Sequence, residues 1–277
     1  MAVVVTAAAA VSGSNGASRA AGVIAFEGAG GLYTVGADGG EPRHIRGTVA
    51  GDGNPRWSPD GKLLAFERFA NDNWDLHVMN ADGSGRRQLT FSPSDDDFAM
   101  WAPHGRSLVF TSERDAGSRK SVYVISIATS AARRVTRDGK YPDWGRDGRI
   151  VFTSGGFGSQ PVFTVRPYGS DRRPLASLEA LAVRVSHDGK KLAYQWGTPG
   201  DVYTADIDGT HARSVAASGE WEGDPNWSPD DTRIVYESSM RRGGPYVVYT
   251  IASNGGQRTR VTAMPGCCAD WTLRARG

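Results

Sequence analysis

Cysteine and long apolar runs are scarce in this sequence. The 277 residues include two cysteines, Cys267 and Cys268, and they are adjacent. Two cysteines cannot build a disulfide framework, and structural zinc needs four ligands at characteristic spacings. We interpret them as half-buried thiols, with a strained disulfide between neighbours as the alternative. No stretch approaches the roughly 18 apolar residues of a spanning helix, which excludes an integral membrane protein.

Charge of either sign is not in excess, and glycine and proline are abundant. The formal net charge is +2, so composition gives no reason to expect a nucleic-acid partner. The chain has 36 glycines and 14 prolines, which predicts dense turns and argues against long helices. With 39% hydrophobic residues and a mean hydropathy of −0.41, the composition is that of a soluble globular protein.

The first residues resemble a secretory signal. Met1 to Val11 is apolar and rich in alanine, and Ser18-Arg19-Ala20 has the small-x-small pattern of a cleavage site, although a basic segment at the start is missing. We therefore expect residues 1–21 to be a leader or a disordered tail. We expect the mature protein to be extracytoplasmic, either periplasmic or secreted.

An internal repeat dominates the rest of the sequence. Trp57-Ser-Pro-Asp-Gly61 has looser copies that begin at Trp101, Trp144, Val185 and Trp227, and a last anchor stands at Trp271. The anchors recur every 41 to 44 residues. Six anchors at this period indicate an array of similar supersecondary units.

Each unit contains four short β-branched and aromatic runs separated by turn residues. In the unit of residues 55–90, Ser-Pro-Asp-Gly suits a tight turn between the first two strands, and Asp82-Gly83 suits a hairpin between the last two. A longer loop is expected from Arg68 to Trp74. Numbered from the inside of the array, these are strands one to four of a unit.

The two ends of the chain complement each other. The first unit, from Val23, lacks a first strand, and Ala269 to Thr272 can supply it. The sequence therefore predicts one all-β domain, residues 22–277. It is a six-bladed β-propeller of four-stranded antiparallel blades, closed by the C-terminal strand, and a closed ring removes the exposed sheet edges.

Residues Pro55–Phe66 and Asp75–Thr90 resemble the TolB-type (WSPDG-repeat) β-propeller family, and the likeness covers about residues 22–277. The Gly-His and Trp-Asp pairs of WD repeats do not recur. The resemblance implies an envelope protein with a protein partner, or a front domain of a prolyl-oligopeptidase-like system. About twenty residues precede the first strand, so we expect a propeller without the α/β domain found in front of the family's namesake.

Functional residues are expected on one face of the ring. The turns between strands one and two and between three and four form the turn face. The longer connections form the loop face, where function usually concentrates. Its acids stand at similar offsets before the anchors, which predicts that they converge at the channel mouth and bind a basic or amide-rich peptide, or a cation such as calcium. The candidates are Asp52, Asp95, Asp96, Asp97, Asp138, Glu222 and Asp224, together with the loop-face tryptophans Trp74, Trp196 and Trp221.

Catalytic motifs are absent. The sequence has no Gly-x-Ser-x-Gly, no His-Glu-x-x-His and no phosphate loop, and no histidine pair has metal-ligand spacing. We therefore expect no catalytic residue, no metal site and no obligatory cofactor. The hypothesis is a monomeric, non-catalytic protein- or peptide-binding propeller. The alternative is a propeller enzyme, a metal-dependent lyase or hydrolase, with a site at the channel mouth.

Overall fold

A computed structural model describes residues 22–115, 120–156, 158–241 and 244–273. The expected leader at 1–21 lies outside this part of the chain. Within it there are 24 strands in six sheets, and each sheet has four antiparallel strands. The predicted six-bladed propeller is confirmed. The described part contains no helix that is long and apolar enough to cross a membrane.

The inner strand of every blade carries the repeat anchor. Blade 1 takes its inner strand from the end of the chain, because β24 (Cys267–Thr272) pairs with β1 (Val23–Gly28) and Trp271 lies opposite Ile24. Blades 2 to 6 follow in chain order. The inner strands are β4 (Asp52–Trp57), β8 (Asp96–Trp101), β12 (Lys140–Trp144), β16 (Val183–Val185), β20 (Trp221–Trp227) and β24 (Cys267–Thr272).

The second and third strands form the centre of each blade and are its most buried part. Their alternating β-branched and aromatic residues suit a sheet that packs on both faces. These strands are β1 (Val23–Gly28) and β2 (Gly31–Gly36), β5 (Leu63–Ala70) and β6 (Asn73–Asn80), β9 (Ser107–Ser112) and β10 (Ser121–Ser126), β13 (Ile150–Thr153) and β14 (Gln160–Val165), β17 (Lys191–Trp196) and β18 (Asp201–Asp206), and β21 (Arg233–Ser239) and β22 (Val247–Ala252).

The outer strands are short in most blades. Short outer strands limit the edge that a sheet offers to other chains. They are β3 (Arg43–His44), β7 (Arg87–Gln88), β11 (Ala132–Thr136), β15 (Arg173–Ala180), β19 (Arg213–Ala216) and β23 (Thr259–Arg260).

The expected loop from Arg68 to Trp74 is wrong. Strand β5 continues to Ala70 and strand β6 begins at Asn73, so a connection of two residues, Asn71 and Asp72, joins them. Both have positive φ, 53° and 62°, as a two-residue turn of type I′ requires. Asparagine and aspartate tolerate this conformation, so the two strands pair to their ends.

The core lies between neighbouring blades. Trp57 of blade 2 packs with Ala25 and Leu32 of blade 1 and with Leu64 and Phe66 of its own blade. Trp101, Trp227 and Trp271 are buried in equivalent clusters, and Trp144 is half-buried against one. The anchor tryptophans therefore pack between blades.

Candidate functional site

Five of the six inner strands contain a β-bulge on the loop-face side of the anchor. In each, the residue three positions before the tryptophan has positive φ, although none of these residues is glycine. A bulge re-aims a side chain, and backbone strain of this kind clusters at functional sites. We call these residues the bulge ring, and they are Asn54, Phe98, Tyr141, Asp224 and Cys268.

A polar side chain of the preceding blade accepts the backbone N–H of most bulge residues. The Asn54 and Phe98 amides donate to Glu27 Oε2 (3.4 Å) and Glu67 Oε1 (2.5 Å). In the same way, Tyr141 N donates to Thr111 Oγ1 (3.2 Å), and Cys268 N donates to Glu237 Oε2 (2.8 Å). These acceptors stand at equivalent positions on the second strands. They satisfy buried amides that the bulge removes from the sheet ladder.

Two of these glutamates lie in an environment that disfavours their charge. Burial, with repulsion from Asp97, raises the pKa of Glu67 to about 8. Burial, with repulsion from Asp224, raises the pKa of Glu237 to about 8. Burial also raises the pKa of Glu27. The loop-face end of the channel therefore carries an excess of carboxyl groups.

An ion triad crosses the central channel. Asp224, from blade 6, accepts Arg56 Nη2 of blade 2 at 2.9 Å and Arg184 Nη2 of blade 5 at 3.0 Å. Blades 2 and 5 are opposite in the ring, so the carboxylate bridges the channel. Burial alone would raise the pKa of Asp224, but the two guanidinium groups outweigh it and lower the pKa.

The turn-face side of the channel is a cavity of about 560 Å³. The residue before each anchor contributes to its wall, so a second ring of side chains, all polar except Met100, surrounds it. Asp270 accepts the amide of Trp57, and Asp143 accepts the amide of Val185, which joins neighbouring blades. The six members are Arg56, Met100, Asp143, Arg184, Asn226 and Asp270.

Three predicted acids are held within their own blades and are not brought together. Asp52 receives both terminal nitrogens of Arg86, at 3.0 and 3.1 Å. Arg114 binds Asp96 at 2.6 Å. Glu222 accepts the Ser218 hydroxyl at 2.6 Å, with Arg258 3.7 Å away. Equivalent offsets from the anchor therefore did not imply convergence, since each blade supplies its own basic or hydroxyl partner.

The other predicted acids differ in placement. Asp97 pairs with Lys120 at 2.8 Å beside Glu67, and burial raises the pKa of Asp97 to about 6. Asp95 accepts the amide of Trp74. Asp138 accepts a hydrogen bond from Ser154 at 3.1 Å. Asp95, Asp97 and Asp224 are therefore the predicted acids that lie near groups of other blades.

The loop-face tryptophans differ in exposure. Trp221 is buried against Tyr246, and Trp74 is half-buried against Phe69. Trp196 is 45% exposed. Of the three predicted tryptophans, Trp196 is thus the one with a ring open to solvent.

Arginines before or within the outer strands fold back over aromatic rings. Arg86 lies over Phe66, and its guanidinium carbon is 4.9 Å from the ring centroid. Arg258 lies 4.4 Å over Tyr249 in the same manner. This stacking aims each guanidinium at the acids of its blade.

The sequence analysis missed the second-strand acceptors and most of the bulge ring. A signal for the acceptors was present, because each second strand contains an aromatic residue followed by a polar one. The pairs are Phe26-Glu27, Phe66-Glu67, Phe110-Thr111, Phe152-Thr153, Tyr194-Gln195 and Tyr236-Glu237. The bulge ring has no such signal, since its five residue types differ.

One group of at least three potential metal ligands occurs among the described residues, and it consists of Glu27, Cys267 and Cys268. It contains no histidine. His187, the histidine on the wall of the turn-face cavity, pairs with Asp231 at 3.0 Å on that face.

Comparison with known proteins places this architecture in a family. The model of the TolB beta propeller domain matches residues 40–180, just over half of the chain. The Tol-Pal system protein TolB of Methylococcus capsulatus (strain ATCC 33009 / NCIMB 11132 / Bath) is 37% identical over 84 residues. That segment is 30% of this chain and 18% of that protein, so the chain matches less than a fifth of the curated relative's length.

Solved structures share the fold. The crystal structure of TolB from Acinetobacter baumannii superimposes with a TM-score of 0.77 at 20% identity, over 91% of this chain and 67% of that one. Kuenenia stuttgartiensis hydrazine synthase gives a TM-score of 0.73 at 14% identity, over 92% and 47%. At these identities the likeness concerns the fold alone. With the matched family model, the anchors and the closed ring, the chain belongs to the TolB β-propeller domain family.

Proposed function

We propose that this chain is an extracytoplasmic, non-catalytic propeller that binds a protein or peptide through its loop face and the channel mouth. The distribution of exposed apolar side chains carries the proposal. Among the described residues, seven large apolar side chains are exposed, and five of them lie on the loop face. These five are Val49, Phe69, Phe91, Trp196 and Met240.

These side chains stand on several blades around the mouth. Phe69 belongs to blade 2 and Trp196 to blade 5, on opposite sides of the ring. Phe91 is 75% exposed and Met240 is 90% exposed. Aromatic residues and methionine are enriched where proteins bind other proteins. A partner that reaches across the mouth would contact several blades at once.

The carboxyl groups at the mouth favour a basic or amide-rich segment. Glu27, Glu67 and Glu237 lie on the neighbouring blades 1, 2 and 6, and Asp97 and Asp224 add two more carboxyl groups. Arg56, Arg184 and Lys120 pair with the two aspartates, and the raised pKa values of Glu67 and Glu237 keep these glutamates largely protonated near pH 7. A basic or amide-rich segment would donate hydrogen bonds to these carboxyl groups, and a basic one would also favour their ionised form.

The family supports a protein partner and an extracytoplasmic location. The relative from Methylococcus capsulatus is named as a component of the Tol-Pal system. By analogy, we place this chain outside the cytoplasm and assign it a protein partner. The closed ring leaves no inner-strand edge for self-pairing, so we expect it to act as a monomer.

Capture of partners from envelope and culture fractions tests the proposal. The immobilised chain is compared with Phe69→Ala/Trp196→Ala, and the control is Tyr168→Ala. Tyr168 is 84% exposed and lies in a turn on the opposite face. We expect the double variant to lose the captured protein and the control to keep it. Equal capture by all three, or loss in the control alone, would refute loop-face binding.

A further inference from the structure

The adjacent thiols lie on the same side of their strand because of the bulge. Side chains of neighbouring residues in a regular strand point to opposite faces. Cys268 is the bulge residue of β24, with φ of 57°, and its Sγ lies 3.0 Å from that of Cys267. The bulge thus places the sulfur atoms of two consecutive cysteines on the same side of the strand, where both can bind one ligand.

Neighbouring blades fix this conformation from both sides. The Cys268 amide donates to Glu237 Oε2 of blade 6 at 2.8 Å. The Cys268 carbonyl accepts Arg56 Nη1 of blade 2 at 2.9 Å. The thiols are therefore held in place before any ligand binds.

A carboxylate completes the group. Glu27, on β1, is the register partner of Cys267. Its carboxylate oxygen and the two Sγ atoms all lie within 4.8 Å of one another, and all three residues are half-buried. The three donor atoms are therefore close enough to share one ion.

The next blade leaves room for that carboxylate. Gly53 has no side chain, and a Cβ at this position would lie 2.4 Å from Glu27 Oε2. The equivalent residue of blade 3 is Asp97. A side chain at position 53 would therefore require the Glu27 carboxylate to shift.

We propose that Glu27, Cys267 and Cys268 bind a thiophilic divalent cation, with Zn²⁺ as the physiological example. Two sulfur donors and one carboxylate oxygen match the donor preferences of zinc, and water takes the fourth position of its tetrahedral shell. Binding releases two thiol protons to solvent, which leaves Zn²⁺ bound to two thiolates and one carboxylate. This site is independent of the proposed partner.

Zinc titration of the reduced, metal-free chain tests the site. Binding is measured by competition with a chromogenic chelator, and Co²⁺ replaces Zn²⁺ to detect thiolate-to-cobalt charge transfer. We expect one ion per chain, and at least about tenfold weaker binding for Cys267→Ser, Cys268→Ser and Glu27→Gln. The control is Glu41→Gln, which changes an exposed glutamate between β2 and β3 and should leave zinc affinity unchanged.

A second variant keeps all three ligands. Gly53→Ala should displace the Glu27 carboxylate and weaken zinc binding while both thiols still react with a thiol reagent. The proposal is overturned if the reduced wild-type chain binds no zinc. It is equally overturned if the double cysteine variant binds zinc as well as wild type does, or if the thiols form only a disulfide and bind no metal after reduction.

Discussion

Arg56 and Asp224 are 168 positions apart in the chain, yet Arg56 Nη2 lies 2.9 Å from Asp224 Oδ2 in the central channel. The Arg56 side chain is 3% exposed and the Asp224 side chain 16%. The pair exists only in the closed ring, because it joins blades 2 and 6. It therefore links the ring geometry to the electrostatics of the mouth.

Asp224→Asn should strongly destabilise the propeller. The change leaves the buried guanidiniums of Arg56 and Arg184 without their shared anion, and breaking a buried pair costs about 3–5 kcal/mol. We expect a loss of about 3 kcal/mol in the free energy of unfolding, measured by urea denaturation. Asp171→Asn removes the acid of surface ion pairs and serves as the control. A loss below about 1 kcal/mol for Asp224→Asn would show that the triad contributes little.

Stability should fall between about pH 5 and pH 8 through Glu67. In the folded protein this group keeps its proton up to a pKa of about 8, whereas its ordinary pKa is 4.5. In that window the unfolded state binds fewer protons, so the free energy of unfolding decreases as pH rises. In the Glu67→Gln variant residue 67 cannot ionise, so this decrease in the free energy of unfolding does not occur. We expect its stability relative to wild type to improve by at least about 1 kcal/mol from pH 5 to pH 8.

The control for this pH effect is Glu41→Gln, which changes an exposed glutamate. Its stability relative to wild type should stay constant across the same range. If the Glu67→Gln difference is also constant, then Glu67 ionises normally in the folded protein.

Arg86→Ala should destabilise the chain more than Arg87→Ala does. Arg86 makes two hydrogen bonds to Asp52, whose side chain is fully buried. Its loss leaves the buried carboxylate with only the Val49 amide and the more distant Arg68 as partners, which costs about 2 kcal/mol. Arg87 is exposed, and its loss should cost less than about 0.5 kcal/mol. Equal melting temperatures for the two variants would contradict the assigned role of Arg86.

Trp57→Ala should leave a cavity between blades 1 and 2. Trp57 is 8% exposed and contacts the cores of both blades. Truncation of a buried aromatic residue costs about 3–5 kcal/mol. We expect a loss of that size in chemical denaturation with an unchanged fold by circular dichroism. Truncation of the exposed Tyr168 to alanine should cost less than about 0.5 kcal/mol, and a similarly small loss for Trp57→Ala would refute its packing role.

The architecture could be predicted from the sequence because each repeat specifies its own turns and strands, while the number and spacing of the repeats specify the ring. The Ser58-Pro-Asp-Gly61 turn forms as its residues require, with Gly61 at φ 68°. Every other blade has an inner strand with an anchor, so the segment around Trp271 could be assigned to the inner strand that blade 1 lacked. The length of β5 and β6 was misjudged, since Asn71-Asp72 forms a turn without glycine or proline.

The site was harder to predict because the bulge changes which side chains face the channel. Counting offsets from the anchors assumes a regular strand, and a bulge shifts the alternation by one residue. Asp224 was found because it happened to occupy a bulge position. Asp52 and Asp96 were expected at the mouth, but arginines from the same blades bind them. Contacts between residues far apart in sequence, such as Arg86 with Asp52, have no local signature.

Site-specific photo-crosslinking tests the proposed function most directly. A photoreactive aromatic amino acid replaces Trp196 on the loop face or Tyr168 on the turn face, and the chain is irradiated in its native host or with an envelope fraction. The account predicts a discrete protein adduct from position 196 and none from position 168. Adducts confined to position 168, or of equal yield at both positions, would contradict binding through the loop face.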